Sequence, residues 1–191
     1  MNEMLAAGFS IEAFYLDNST SASAVFCMTE KPNGFGIAHQ KNTNTSQNNK
    51  PYFITGNGKT GKNDNPWNAV YPTETISDTE LVHVVAVYNP TAKTHSIYIN
   101  GKLSNTTTDV PCVKAATTTS SANTGNTVMF NTFGLGGDLS PNAVVNKKTY
   151  IGDFLATDMT IVDAKFYTCV LTAEQVAAAY KTATAGFVAA E

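Results

Sequence analysis

An antiparallel β-sandwich closed by one short C-terminal helix is the fold this sequence predicts, on three observations. Short runs of β-branched and aromatic residues recur along the chain between turn-forming clusters. The regular strand–helix alternation that marks a parallel-sheet fold is missing. Helical periodicity with a start signal occurs once, near the C-terminus. A chain of 191 residues is long enough to bury one sizeable core, and no internal repeat divides it.

The first strand is expected over residues 8–16, where Phe9, Ile11 and Ala13 alternate with Ser10 and Glu12 ahead of Phe14 and Tyr15. Residues 24–28 and 34–39 read as the next two strands, divided by Lys31, Pro32 and Asn33, which favour a turn. Residues 41–49 carry almost nothing apolar and are expected to form a loop. Strand character returns over 51–55. Residues 56–68 are rich in Gly, Asn and Lys and read as a second loop, ending at Trp67, the only tryptophan.

The strongest local signal lies between residues 81 and 106. Residues 81–88 and 94–99 are β-branched runs, and Asn100-Gly101 is the preferred dipeptide of a tight type I′ hairpin, so a meander is expected. After a polar stretch at 117–126, an apolar run follows at 128–136, then strands at 150–152 and 159–167. In the last of these, simple alternation places Met159, Ile161, Asp163, Lys165 and Tyr167 on one face. Thr160, Val162, Ala164 and Phe166 then form the more apolar face. Thr172 and Gln175 make a capping box for a helix in which Val176, Ala179 and Tyr180 recur at helical spacing. The sandwich is expected to occupy residues 8–183, with 1–7 and 184–191 as terminal extensions.

Composition narrows the function classes. All twelve basic residues are Lys, and the formal net charge is −3. Without the planar guanidinium fork and without a basic patch, nucleic acid is not an expected partner. No apolar run reaches the roughly 20 residues of a membrane-spanning helix, so membrane insertion is not expected either. Cys27, Cys112 and Cys169 are odd in number and lack metal-ligand spacing. Cys27 and Cys169 sit in apolar runs and are expected to be buried thiols. The low charge content, 14 %, with polarity carried by Asn, Thr and Ser, is that of a secreted β-protein. An extracellular, periplasmic or cell-surface location is expected, for a segment of a longer polypeptide whose signal peptide has been removed.

Three stretches together resemble the laminin-G-like, concanavalin A-like superfamily, in the form found as an accessory domain of bacterial surface and secreted proteins. They are Gly8-Phe9-Ser10-Ile11-Glu12-Ala13-Phe14; Val82 to Tyr88 continuing to Ile97-Tyr98-Ile99-Asn100-Gly101-Lys102; and Tyr150-Ile151-Gly152-Asp153 with residues 159–167 and 171–176. The family often has Trp where Val82 stands and Arg where Lys165 stands. The resemblance implies a jelly-roll sandwich and a binding or accessory role. Gly134-Leu135-Gly136-Gly137-Asp138, followed by Ser140 and Pro141, is similar to the module attached to calcineurin-like metallophosphoesterases. That likeness implies a neighbouring catalytic domain on the same polypeptide.

No catalytic constellation is legible. The paired-carboxylate strand of the glycosidases that share this fold is missing, and Glu74, Asp78 and Glu80 lie in a Thr/Ser-rich turn region where solvated charge is expected. His39, His83 and His95 are too dispersed for a ligand set, and no serine or cysteine occupies a nucleophile elbow. Calcium is the metal considered, with Asp138, Asp153 and Asp158 as candidate ligands. Sugar recognition needs aromatic rings to stack on a pyranose and amides to bond its hydroxyls. Trp67 and Tyr71, with Asn65 and Asn68, are the candidate residues. The expected function is a non-catalytic, carbohydrate-binding module; the alternative is a structural accessory domain of a larger hydrolase such as a metallophosphoesterase, and the third reading is a glycosidase or lyase of the same fold.

Overall fold

The computed structural model describes residues 2–20, 23–30, 33–41, 46–56, 67–77, 79–110, 134–135 and 158–186. Among them, two five-stranded antiparallel sheets face each other, as the strand-rich sequence predicts. A helix, α1 (Asn2–Ala7), precedes them and sinks Leu5 completely into the core. Gly8, at φ +95°, turns the chain from α1 into the first strand; a Cβ there would lie 2.5 Å from Val170.

The strands are β1 (Phe9–Asp17), β2 (Ser23–Glu30), β3 (Asn33–Gln40), β4 (Lys50–Gly56), β5 (Trp67–Val70), β6 (Val82–Asn89), β7 (Thr94–Ile99), β8 (Lys102–Thr107), β9 (Gly134–Leu135) and β10 (Met159–Tyr167). A second helix, α2 (Ala173–Thr184), follows. One sheet has the order β10-β1-β6-β7-β8 and the other β5-β4-β3-β2-β9. The strand expected from the sequence at 150–152 and most of the apolar run at 128–136 lie outside the described residues, as does Cys112.

Alternation in β1 works as predicted: Phe9, Ile11, Ala13 and Tyr15 are all fully buried in the layer between the sheets. There the Phe9 ring packs at a tilt against Phe35 at 4.5 Å and stacks with Phe166 at 5.5 Å. The long apolar run of β6 has a different cause. Val82, Val84, Ala86 and Tyr88 enter the inter-sheet core, while Val85 and Val87 lie on the opposite face with Tyr98, beneath Leu171 and Val176. Both faces of this strand are therefore covered, one by a sheet and one by α2 with the turn before it.

Simple alternation fails in β10. Phe14 pairs with Asp163 while Tyr15 pairs with Ile161, so Val162 is an extra residue opposite one step of β1. Such a bulge reverses the side-chain phase. Met159 and Ile161 before it, and Ala164 and Phe166 after it, all pack against the core, whereas Val162 is 39 % exposed. The two faces expected for residues 159–167 are corrected accordingly.

The turn chemistry holds where it was strongest. Asn100 and Gly101 have φ of 49° and 78°, as a type I′ hairpin requires. Asn100 donates its N–H to the His83 carbonyl at 2.8 Å and accepts the His83 N–H on Oδ1 at 3.0 Å. At α2, Gln175 N–H donates to Thr172 Oγ1 at 3.2 Å and Thr172 N–H donates to Gln175 Oε1 at 2.8 Å, completing the capping box. Cys169 lies in the turn between β10 and α2 and is exposed, which corrects its assignment as a buried thiol. Chain reversal, not strand pairing, sets its environment.

Candidate binding surface

The residues singled out for sugar recognition fall around β5, the edge strand of its sheet. Trp67 and Asn68 belong to β5 rather than to the loop expected there, pairing with Gly56 and Thr55 of β4. The Gly, Asn and Lys content of the segment is loop-like in sequence, and in the structure only its last residues join the four-residue β5. Asn65 lies outside the described residues. Asn68 is half-buried, and its Nδ2 is a buried amide donor with no hydrogen-bond partner.

Tyr71, just past β5, is half-buried with its ring stacked on that of Tyr52 at a centroid distance of 4.8 Å and an angle of 23°. Tyr52, from β4, is nearly covered at 8 % exposure. Partial burial pushes the Tyr71 hydroxyl pKa up. The sequence pointed to Tyr71; its partner Tyr52 was missed, because only strand register brings the two rings together.

The backbone carrying Tyr71 is pinned from both sides. Asn105 Nδ2 of β8 donates to the Tyr71 carbonyl at 2.8 Å, and Thr73 N–H donates to Ser104 Oγ at 3.0 Å. Lys50 Nζ donates to the carbonyls of Pro72 and Thr73 at 3.1 and 3.0 Å. Further on, Ile76 N–H donates to the Asn49 carbonyl at 3.1 Å while Asn49 Nδ2 donates to the Ile76 carbonyl. Glu74 is exposed and accepts from the hydroxyls of Thr73 and Ser104. Burial of its carboxyl would raise the pKa, but Ser104, its own N–H, Thr73 and the nearby Lys50 charge prevail and lower it. Glu80 is also exposed, as expected of solvated charge, and Asp78 is outside the described residues.

Behind this surface, His39 is buried in a closed network. Its Nε2 donates to Asn49 Oδ1 at 2.9 Å, and its Nδ1 lies 3.0 Å from the Tyr15 hydroxyl and 3.9 Å from Asp17 Oδ2. Lys41 Nζ donates to the same Asn49 oxygen at 2.9 Å. Asn49 adopts φ 55° to serve these partners, so the network fixes the turn that in turn holds Ile76. His95 is fully buried against Phe53 and Tyr88, with Nε2 at 3.0 Å from Thr55 Oγ1. Burial lowers its pKa to about 3, so the ring is neutral at physiological pH.

The third histidine belongs to a separate cluster, on the α2-covered face of the other sheet. Glu12 is fully buried there and accepts from His83 Nε2 at 3.2 Å, Lys165 Nζ at 3.1 Å and the Tyr167 hydroxyl. Burial opposes its charge, yet the hydrogen bonds from His83, Tyr167 and Lys165 and the Lys165 charge outweigh it, and the pKa falls to about 2. Nothing local in the sequence marks this, since Glu12 occupies a polar position of an alternating strand. Lys165, which stands where the resemblance expects Arg, supplies the cation.

Among the described residues, no group of three or more His, Cys, Asp or Glu side chains gathers as a metal set. Asp138 and Asp153 lie outside the described residues. Asp158 is exposed, with its backbone N–H donating to Ser19 Oγ at 3.1 Å and its carbonyl accepting from Asn18 N–H at 2.8 Å. No helix among the described residues is long and apolar enough to cross a membrane.

Comparison with solved structures finds the same fold at low sequence identity. The CBM40 of Ruminococcus gnavus IT-sialidase, bound to α2,3-sialyllactose, matches with a TM-score of 0.58 at 10 % identity, over 91 % of this chain and 83 % of its own. A Bacteroides ovatus protein named as a candidate carbohydrate binder gives 0.58 at 10 %, over 90 % of this chain and 40 % of its own. The binding domain of botulinum neurotoxin DC, in complex with rat synaptotagmin II, gives 0.57 at 14 %, covering 94 % and 37 %. This chain thus spans well under half the length of the latter two. Comparison with curated protein sequences returned no match. The model of the family described as the concanavalin A-like lectin/glucanases superfamily matches residues 2–177, nearly the whole chain, and the protein belongs to that superfamily.

Proposed function

We propose that this domain is a non-catalytic, carbohydrate-binding module of a longer extracellular or cell-surface protein, and that it binds its glycan at the β4–β5 edge through Tyr71, Trp67, Asn68 and Asn65. The observation that carries this reading is the half-buried Tyr71 ring, stacked on Tyr52 and anchored by four side-chain hydrogen bonds to its segment. A ring held in this way loses little conformational freedom when a pyranose stacks on it. Among structures of the same fold, the R. gnavus module carries a bound saccharide, which lends general support. Glu12 is the most strongly perturbed carboxylate among the described residues, but it is fully buried, held by Tyr167 and Lys165.

The test is a glycan array followed by calorimetry, with and without calcium. Binding to one saccharide class is expected, weakened about tenfold by Tyr71→Ala, the scale of one lost stacking contact. Absence of binding to every glycan, in both conditions, would sink the proposal and favour a purely structural role beside a catalytic neighbour.

A further inference from the structure

The chemistry around the Tyr52–Tyr71 pair also bears on the charge of the ligand. The described cations beside it are already engaged: Lys50 Nζ on the carbonyls of Pro72 and Thr73, and Lys41 Nζ on the Asp17 carbonyl at 2.7 Å and on Asn49 Oδ1 at 2.9 Å. The charged group presented to solvent on the Tyr71 segment is an anion, Glu74, fixed by Thr73 and Ser104. The remaining polar groups at hand are neutral: the Thr73 and Ser104 hydroxyls and the Asn105 amide. Across all 191 residues there is no arginine, the side chain whose planar fork binds a carboxylate with two parallel hydrogen bonds.

Resting on the glycan-binding reading above, we propose that this surface selects uncharged, hydroxyl-rich saccharides and rejects sialylated and uronic-acid glycans. A sugar carboxylate placed over Tyr71 would meet Glu74 and lose part of its hydration without gaining a cationic fork. Neutral hydroxyls can instead donate to the Glu74 carboxylate. Sharing a fold with a module that holds sialyllactose would then not extend to sharing its ligand.

Calorimetry on the wild-type chain against neutral oligosaccharides, α2,3-sialyllactose and oligogalacturonate tests this, with Tyr71→Ala, Tyr71→Phe and Glu74→Gln as variants. Neutral ligands should bind with an affinity that stays within about twofold between about 50 and 500 mM NaCl, because screening acts only on charges. Acidic ligands should bind at least about tenfold more weakly, and Glu74→Gln should narrow that gap. Tyr71→Phe should retain neutral binding and Tyr71→Ala should weaken it about tenfold, with circular dichroism showing both folded. Binding of sialyllactose or the uronate as tightly as neutral sugars, or an affinity that collapses with salt, overturns the charge selection and leaves glycan binding standing. Failure of every ligand, neutral and acidic, overturns both.

Discussion

Replacing Glu12 by Gln keeps the shape of a fully buried side chain and removes its charge, so it isolates what the carboxylate contributes. In the native chain that carboxylate accepts from His83, Lys165 and Tyr167, linking β1 to its two neighbours, β6 and β10. An amide can accept on only one atom and turns its NH₂ toward the other donors. A carboxyl whose pKa falls from 4.5 to about 2 on folding contributes about 3 kcal/mol of stability at neutral pH. For a domain of this size that is about 6–12 °C in melting temperature. The pH dependence carries the diagnosis. The unfolded chain takes up this proton near pH 4.5 and the folded chain only near 2, so the contribution is complete above 4.5 and is lost as the pH falls toward 2. Urea melts of wild type and Glu12→Gln at neutral pH and at steps down to about pH 2.5 should therefore show a large gap that closes on acidification. A gap of constant size across that range would refute the reasoning, because it would mean that the loss comes from the mismatched hydrogen bonds of the amide and not from the buried charge.

Other outcomes follow from separate parts of the molecule. Gly101→Ala forces a Cβ onto a residue at φ 78° and to 2.9 Å from Tyr180 Cβ, so it should destabilise the domain by more than the roughly 1 kcal/mol of the backbone alone, measured by denaturant melts. Tyr180→Ala in the same chain should recover part of that loss. The imidazole nitrogens of His95, followed by NMR, should keep neutral-ring shifts well below pH 6.5, since burial lowers the pKa to about 3; protonation near 6 would contradict its buried environment. The unfolded chain binds that proton near 6.5, so this group makes stability fall as the pH drops below that value. Thr172→Ala removes the capping box of α2 and should cost about 1 kcal/mol, seen as a lower melting midpoint. Trp67→Ala should leave the midpoint nearly unchanged while weakening glycan affinity; a drop of about 3–5 kcal/mol would instead mark Trp67 as a core residue.

Much of the fold is legible in the sequence because its signals are local. Alternation in β1 sorts Phe9, Ile11, Ala13 and Tyr15 inward, the Asn100-Gly101 dipeptide specifies its own backbone turn, and Thr172 with Gln175 caps the helix that follows. Each depends on residues within a few positions of one another, so no tertiary context is needed to read it. The superfamily is legible for the same reason, since those local signals recur in a fixed order. Of the candidate site, Tyr71 and Trp67 could be picked out as aromatic residues in polar surroundings, and Asn68 as an amide beside them.

What only the tertiary structure decides involves pairings between distant residues. The bulge at Val162 appears only when β10 is laid against β1, and it moves Met159 and Ile161 to the side where Ala164 and Phe166 also lie. Glu12 looks like an exposed acid until β6, β10 and α2 close over it, when three donors from residues 83, 165 and 167 make its charge stable. Tyr52 becomes the support of Tyr71 only through the pairing of β4 with β5, and the turn carrying Tyr71 is held by Asn105 and Ser104 from the other sheet. Periodicity reports which way a side chain points relative to its immediate neighbours. Burial, charge stability and the support of a binding ring depend on what packs against that side chain, and in this sandwich the packing partners lie 19 to 155 residues away.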